Sequence, residues 1–401
     1  MTPRHQRNLG RRKVLFALGG AAVAIPAAAA IAPHALADQS GERKAGTAAA
    51  GALPLTIVNN SGSFDNANVH LYIVGNADGR QVRVTPEGTV VPVAASDNGP
   101  DGFTDYAIGL AGSGETRLSL PYMSGRIYVS LGAKLKFKVV TDGNGDAALQ
   151  YPAGWVTSDP NYGVLHDCAE FTYNSSGMFC NTTMVDMFSV PMGIRLTGAK
   201  DQTTGTVREG GRAAAFAAVK RVEAFSRLVV DDTRIIAPGH GLDAGLFAKD
   251  YFAPYIDEVW STYTGRDLEV TTNAGTFTGR VRGERFTFDG PAQVSFGKPS
   301  TRDVLFCDGA LAAPNDGTTG PVAAVLGAGF NRSTLLSHPD QPTADASVFY
   351  RTELTNHYSK AVHTATEDGR AYGFAFDDVA DFASYIQDTA PTGLRLTLTA
   401  F

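Results

Sequence analysis

From Leu53 to about Val190 the chain is cut into short extended runs, one roughly every ten residues, and this spacing limits the fold more than any other feature. The runs LTIV, VHLYIV, VRV, RIYVSL, KLKFKVV and EFTY, with another around Asp186, are separated by turn formers. Such a pattern argues an all-β barrel or sandwich.

The middle of the chain changes character. Glu209 to Leu228 is Ala-rich, with Phe216, Val219, Val222 and Phe225 spaced along one helix face. Leu246 to Tyr263 lacks strand alternation and predicts a second helix, with Pro254 near its start or at a kink. The strands LEVTT, GTFTGRV and RFTFDG follow, then an apolar Ala-rich stretch from Pro321 to Phe330 with a helix after it. The last strand, LRLTLTAF, is expected to pair back into the first domain. There is no internal repeat of useful length. Pattern alone therefore gives a mixed α and β chain with a β-rich first half.

The stretch CAEFTYNSSGMFCNTTMVDMF, Cys168 to Phe188, carries the functional signal. At strand period Glu170, Thr172 and Asn174 share one face and Ala169, Phe171 and Tyr173 the other. The first face must be solvated or occupied by a ligand; the second belongs to a core. Turn formers at Asn174 to Gly177 and a second extended run, Thr182 to Val190, predict a hairpin presenting two acids, Glu170 and Asp186. If Glu170 pairs opposite Met184, Asp186 is a diagonal neighbour at roughly 7 to 8 Å. Inverting glycosidases hold their general acid and general base about 6.5 to 9.5 Å apart to leave room for water. A register shifted by one residue would turn Asp186 to the other face. The alternative reading is a solvated strand with ordinary surface acids.

Other constellations are weaker. His166, Asp167, Cys168 and Glu170 cluster in sequence, but strand spacing is poor for three ligands on one ion, so no metal and no cofactor is expected. Asp142, Asn144 and Asp146 imitate a calcium loop, but Ala147 and Ala153 stand where the glycine and the bidentate glutamate belong, which favours a turn. Nucleophile-elbow and P-loop motifs are absent from the sequence. His357 and His363 are read as surface or core residues. Trp155 is open between sugar platform and core, and Trp260 is read as core. Three cysteines allow at most one bridge within a monomer, and hairpin geometry keeps Cys168 from Cys180, so any disulfide would use Cys307.

Residues 1–37 read as an export signal, with Arg11-Arg12, an apolar run from Val14 to Ala32 and a small-residue cleavage site at Ala35-Leu36-Ala37. The twin arginine predicts Tat export, with a Sec signal as the alternative and a membrane anchor disfavoured by Pro26 and Pro33. Residues 38–52 read as a flexible linker, and the mature protein is expected to be secreted, monomeric and free of the membrane. Without the five basic residues of the leader, 29 Lys and Arg face 40 Asp and Glu, a formal charge of −11 that makes nucleic acid a poor partner. A neutral polysaccharide is compatible with that charge.

The segment Tyr151 to Leu196 resembles the active-site region of glycoside hydrolase family 64, the laminaripentaose-producing β-1,3-glucanases. LPLTIVNNSG, VHLYIVG, MSGRIYVSLG, GFNRSTLL and YGFAFDDVADF are similar to that family in the same order, so the resemblance covers nearly all of the chain after the leader. It implies a mixed, β-rich α+β fold: a thaumatin-like β-barrel domain over 53–195, a mixed α/β domain over 196–370, a segment over 371–401 returning to the β domain, and a wide groove. It implies an inverting hydrolase of β-1,3-glucan, with Glu170 as general acid, Asp186 as general base, and Thr172 and Asn174 among the sugar-binding residues. Phe179 stands where relatives carry a tryptophan platform, and Trp155 lies in the same segment. In that mechanism Glu170 should be the less solvated acid or lie close to negative charge, with Asp186 held ionised by hydrogen bonds. The rival is a non-catalytic thaumatin-like glucan-binding or antifungal protein.

Overall fold

The computed structural model describes residues 51–401; the expected export signal and all but the last two residues of the expected linker lie outside the described residues. Most of the short runs are strands of two sheets that share one core, whereas KLKFKVV ends in a separate two-stranded ladder with Ala147–Gln150. One sheet has five strands in the order Asp201–Thr204, Met192–Thr197, Gly393–Leu398, Leu53–Asn59 and Thr116–Leu120. The other runs Tyr385–Asp388, Gly177–Thr182, Leu165–Asn174, Met123–Leu131, Val69–Ala77, Arg80–Val84 and Val90–Pro92, with Ile108–Gly109 also paired to Val69–Ala77. Leu55, Ile57, Ile194 and Leu396 of the first meet Leu71, Ile127, Phe171 and Cys180 of the second. Each such fully buried side chain contributes about 1.5 to 3 kcal/mol.

Neither sheet closes on itself, so the expected barrel is corrected to a sandwich of two open sheets. The eight-stranded sheet ends in strands of four and three residues, Tyr385–Asp388 and Val90–Pro92, with no ladder joining them. The C-terminal strand does return: Gly393–Leu398 lies parallel to Leu53–Asn59 and antiparallel to Met192–Thr197. The sandwich continues through Thr204 before helices begin.

A second core runs from Met184 to Ala371. The Ala-rich segment forms Gly211–Lys220 and a short turn of helix, Glu223–Ser226, that together bury Phe216, Val219 and Phe225. Pro254 sits in the first turn of Ala253–Gly265, where its missing N–H has no intrahelical role, and Trp260 on that helix is buried. The stretch expected to precede a helix is itself helical, Thr319–Arg332, because its apolar residues pack all round. Asp142 caps a hairpin turn by accepting from the N–H groups of Asn144 and Asp146. Cys168 and Cys180 are buried thiols, and the Cys307 thiol donates to Val304 O. Among the described residues no helix is long and apolar enough to cross a membrane.

Two glycines shape the sheet that carries Glu170. Gly177 follows the two-residue turn Ser175-Ser176 at φ +128°, and a Cβ there would lie 2.2 Å from Asp388 O. Gly125 faces Gly75 across the ladder, and a Cβ on it would lie 2.3 Å from Val74 O. Gly125→Ala is therefore expected to force the strands apart and lower unfolding free energy by about 1 to 3 kcal/mol in urea denaturation. An unchanged midpoint would mean that the close approach of these strands carries no constraint.

Candidate active site

The Leu165–Asn174 strand sits inside the larger sheet, and its register fixes what surrounds each side chain. Glu170 lies between Arg126 on one neighbour and Asn181 on the other. One step towards the turn, Ser124, Thr172, Phe179 and Gln387 form the next row on the same face. Phe171 and Tyr173 point to the sandwich core, as the alternation requires.

Glu170 faces Asn181, not Met184, and the predicted hairpin route to Asp186 is not the one the chain takes. The return strand ends at Thr182, where the C-terminal segment captures the chain: Thr182 N–H donates to Ser384 O, and Met184 N–H donates to Tyr372 O at 2.8 Å. Tyr358 then donates to Met184 O at 2.5 Å, and Ala237 N–H donates to Asp186 O at 3.0 Å. Asp186 thus lies in an irregular link between the sheet and a short ladder in which Met187 pairs with Ile236.

The two acids nevertheless meet, through Arg126. Its Nε and Nη2 donate to Glu170 Oε1 at 3.0 and 2.8 Å, and its Nη1 donates to the Tyr128 hydroxyl at 3.1 Å and lies 3.9 Å from Asp186 Oδ2. These contacts keep the nearest carboxylate oxygens within roughly 9 Å of each other, a bound that admits the window of about 6.5 to 9.5 Å that holds a water and also the spacing of about 5 to 5.5 Å of a covalent mechanism. The Glu170 side chain is 5 % exposed and that of Asp186 27 %, so Glu170 is the less solvated acid. Its adjacent charge is the cation of Arg126 rather than a negative group. Asn181 Nδ2 makes a long contact, 3.4 Å, to Glu170 Oε2.

Asp186 is held from the other side by His240, whose Nε2 lies 2.8 Å from Oδ1. Burial works to raise the Asp186 carboxyl, but the hydrogen bond and charge of His240, with Arg126, outweigh it and hold it below the usual carboxylate value. The stability this gives is present above the unfolded value of about 3.9 and is lost as pH falls through the lower folded value. Beyond His240 lies Trp155, half-buried and stacked on the imidazole at 4.3 Å between ring centroids. Arg234, fully buried, fixes this corner by donating to Gly154 O and Val164 O, both at 2.9 Å. Arg126, Trp155, Thr183 and Asp186 line one small cleft.

The remaining sequence candidates lie at graded distances from the acids. Thr172 is half-buried, shares a hydrogen bond with Ser124 Oγ at 3.0 Å and faces half-buried Phe179 across the ladder. Asn174 is exposed at the hairpin tip, four residues or about 13 Å along the strand from Glu170, and its Oδ1 accepts from Ser176 N–H. His166 is buried against Val164 O, and burial pushes its imidazole down to about 4. Sequence reasoning missed Arg126, Asn181, His240 and Tyr385. Arg126 had a signal, being a lone charge in the run MSGRIYVSL; Tyr385, half-buried opposite Asn181, had none, since its pairing depends on the far end of the chain.

Residues 51–398 match the family model described as Beta-1,3-glucanase, Glyco_hydro_64. The chain is 34% identical over 370 residues to the glucan endo-1,3-beta-glucosidases of Cellulosimicrobium cellulans and of Arthrobacter sp. (strain YCWD3), covering 87% of this chain and 65% of either relative. It is similar to the crystal structure of a laminaripentaose-producing β-1,3-glucanase in complex with laminaritetraose, at 36% identity and TM-score 0.79, over 87% of this chain and 99% of that one. A β-1,3-glucanase domain (GH64) from Clostridium beijerinckii matches at 31% identity and TM-score 0.78, over 87% of this chain and 98% of that domain. The chain belongs to glycoside hydrolase family 64.

Arg126→Met would leave Glu170 buried without its counter-ion and is expected to cost about 3 to 5 kcal/mol of unfolding free energy in urea at neutral pH. Adding Glu170→Gln should return part of that loss, because the orphaned charge is gone; a double variant no more stable than Arg126→Met would mean the two are not coupled. In Arg126→Met the Asp186 side-chain carbon should titrate at higher pH by NMR.

Proposed function

We propose that this family 64 chain is a secreted, monomeric endo-β-1,3-glucanase that cleaves laminarin- or curdlan-type glucan with inversion and releases laminaripentaose. The observation that carries the reading is the single guanidinium shared by Glu170 and Asp186 in a half-open cleft. Likeness to a laminaripentaose-producing enzyme, 36% identical, supports the product, and the twin-arginine leader supports export.

The roles follow from exposure and contacts. Glu170 is the general acid. Its Oε1 is taken by Arg126, so Oε2 is the oxygen that delivers the proton to the glycosidic oxygen. As the proton leaves, negative charge develops on a carboxylate already bonded twice to Arg126, which stabilises the transition state more than the ground state. Asp186 is the general base. It takes a proton from water, the water oxygen attacks the anomeric carbon from the face opposite the leaving group, and the glycosidic bond breaks. Solvent then returns a proton to Glu170 and removes one from Asp186. Thr172, Phe179, Tyr385 and Gln387 on the same sheet face, with Trp155 across the cleft, are where a wide groove would hold neutral sugars by hydrogen bonds and ring stacking.

The rival, a protein that grips glucan without cutting it, predicts no new reducing ends from laminarin or curdlan. Release of reducing ends by the purified chain, with laminaripentaose as the main product on chromatography, is the expected result. Glu170→Gln and Asp186→Asn should each lower turnover by about 10² to 10⁴-fold while leaving oligosaccharide binding close to wild type, and Glu170→Gln, which takes the bonded counter-ion from buried Arg126, should also lower the thermal midpoint. Early-time proton NMR should show the α-anomer first; a β-anomer would assign retention and a nucleophilic role to Asp186.

A further inference from the structure

His240 lies on a six-residue helix, Pro238–Asp243, that starts one residue after the Arg234–Ile236 strand. Ala237, the residue between them, bonds Asp186 O through its N–H, so the helix begins directly beside the acid. The sequence around the histidine is Pro-Gly-His-Gly, and both glycines sit in close packing. A Cβ at Gly239 would lie 3.0 Å from the Phe306 ring, and one at Gly241 would lie 2.3 Å from the Leu228 side chain. The imidazole is clamped as tightly as the backbone, stacked on Trp155 at 4.3 Å and 21° and edge-on to Phe306 at 5.5 Å and 83°.

The Asp186 carboxylate, on an irregular link, is met by His240 Nε2 at 2.8 Å on Oδ1 and by Arg126 Nη1 only at 3.9 Å on Oδ2. A carboxylate on an irregular link can turn about both side-chain bonds, and a general base that turns loses the alignment with its water. We propose that His240 is the positioning residue of the base: by bonding Oδ1 it fixes the Asp186 carboxylate so that Oδ2, on the Arg126 side, is the oxygen that takes the water proton. The inference rests on the reading of Asp186 as general base. Because aromatic rings already immobilise the imidazole, no ordering is left to be done when substrate arrives.

The charges facing the pair come from every side of the cleft. Arg126, with Glu170 behind it, faces Oδ2 from the sheet; buried Asp167 lies in the cleft floor, held by the N–H groups of Ser189 and Val190. Tyr358 approaches from the His357–Ala365 helix, and Arg302, paired with Asp243, lies over the far side of Phe306. His240 is the group that bonds Oδ1, so its removal acts on the base directly.

The test is the pH dependence of kcat/KM on a laminari-oligosaccharide for wild type, His240→Ala and His240→Gln, with Asp186→Asn alongside. His240→Ala should lower kcat by about tenfold or more with KM little changed, and should move the acidic limb to higher pH, because the base loses the donor that favours its ionised form. His240→Gln keeps an N–H donor and should recover part of kcat and return the limb towards wild type. An acidic limb unmoved in His240→Ala, or a His240→Gln as slow as His240→Ala with a wild-type limb, would overturn the inference. Wild-type turnover in Asp186→Asn would instead sink the assignment of the base, which separates the two failures.

Discussion

A buried guanidinium with two acid partners from different parts of the chain is the interaction on which the site depends. Taking Arg126 out of water costs several kcal/mol unless opposite charge comes with it. The sheet supplies one carboxylate through register, since Glu170 can only face Arg126 in this ladder. The other arrives on the irregular link around Asp186, which the cation draws towards the sheet. Without Arg126 between them, two ionised carboxylates at this distance would repel, and one would take up a proton more readily.

The acids also sit where two cores meet. Phe171 belongs to the core between the sheets, whereas Met184 and Phe188 belong to the core under the helices. The chain crosses from one core to the other between Glu170 and Asp186, so their separation is set by how the two cores pack. The packing is pinned at Met184, whose N–H and carbonyl are bonded by Tyr372 and Tyr358, and at Asp186, whose carbonyl is bonded by Ala237.

Much of this was legible in the residues. Alternation in CAEFTYN correctly put Phe171 and Tyr173 in a core and Glu170 on the opposite face, because a strand allows only two directions. Pro254 marked a helix start, and the spacing of Phe216, Val219 and Phe225 marked another helix. The path to Asp186 was not legible, because the local run from Thr182 looks extended while Tyr372 and Ser384, some two hundred residues on, decide where the strand ends. Arg126, His240 and Tyr385 reach the acids by tertiary register alone, which no local period encodes. Sheet closure was equally out of reach: a barrel and a sandwich share the same run lengths and differ only in whether the edge strands meet.

The position of the Gly393–Leu398 strand sets the order in which the molecule can be completed. It fills the slot between Leu53–Asn59, the earliest strand, and Met192–Thr197. At about 5 to 20 residues per second, the ribosome needs roughly 10 to 40 s to make the chain between Met192–Thr197, the later of those partners, and the strand that joins them. During that interval the five-stranded sheet has a gap at its centre and two open strand edges facing each other, each able to pair with a wrong segment. The same late strand is preceded by Tyr385–Asp388, which lines the face beside Glu170, so one late stretch completes both the face beside Glu170 and the centre of the sheet. Until Tyr385–Asp388 and Gly393–Leu398 are made, the face beside Glu170 is incomplete and the two open edges have to be kept apart.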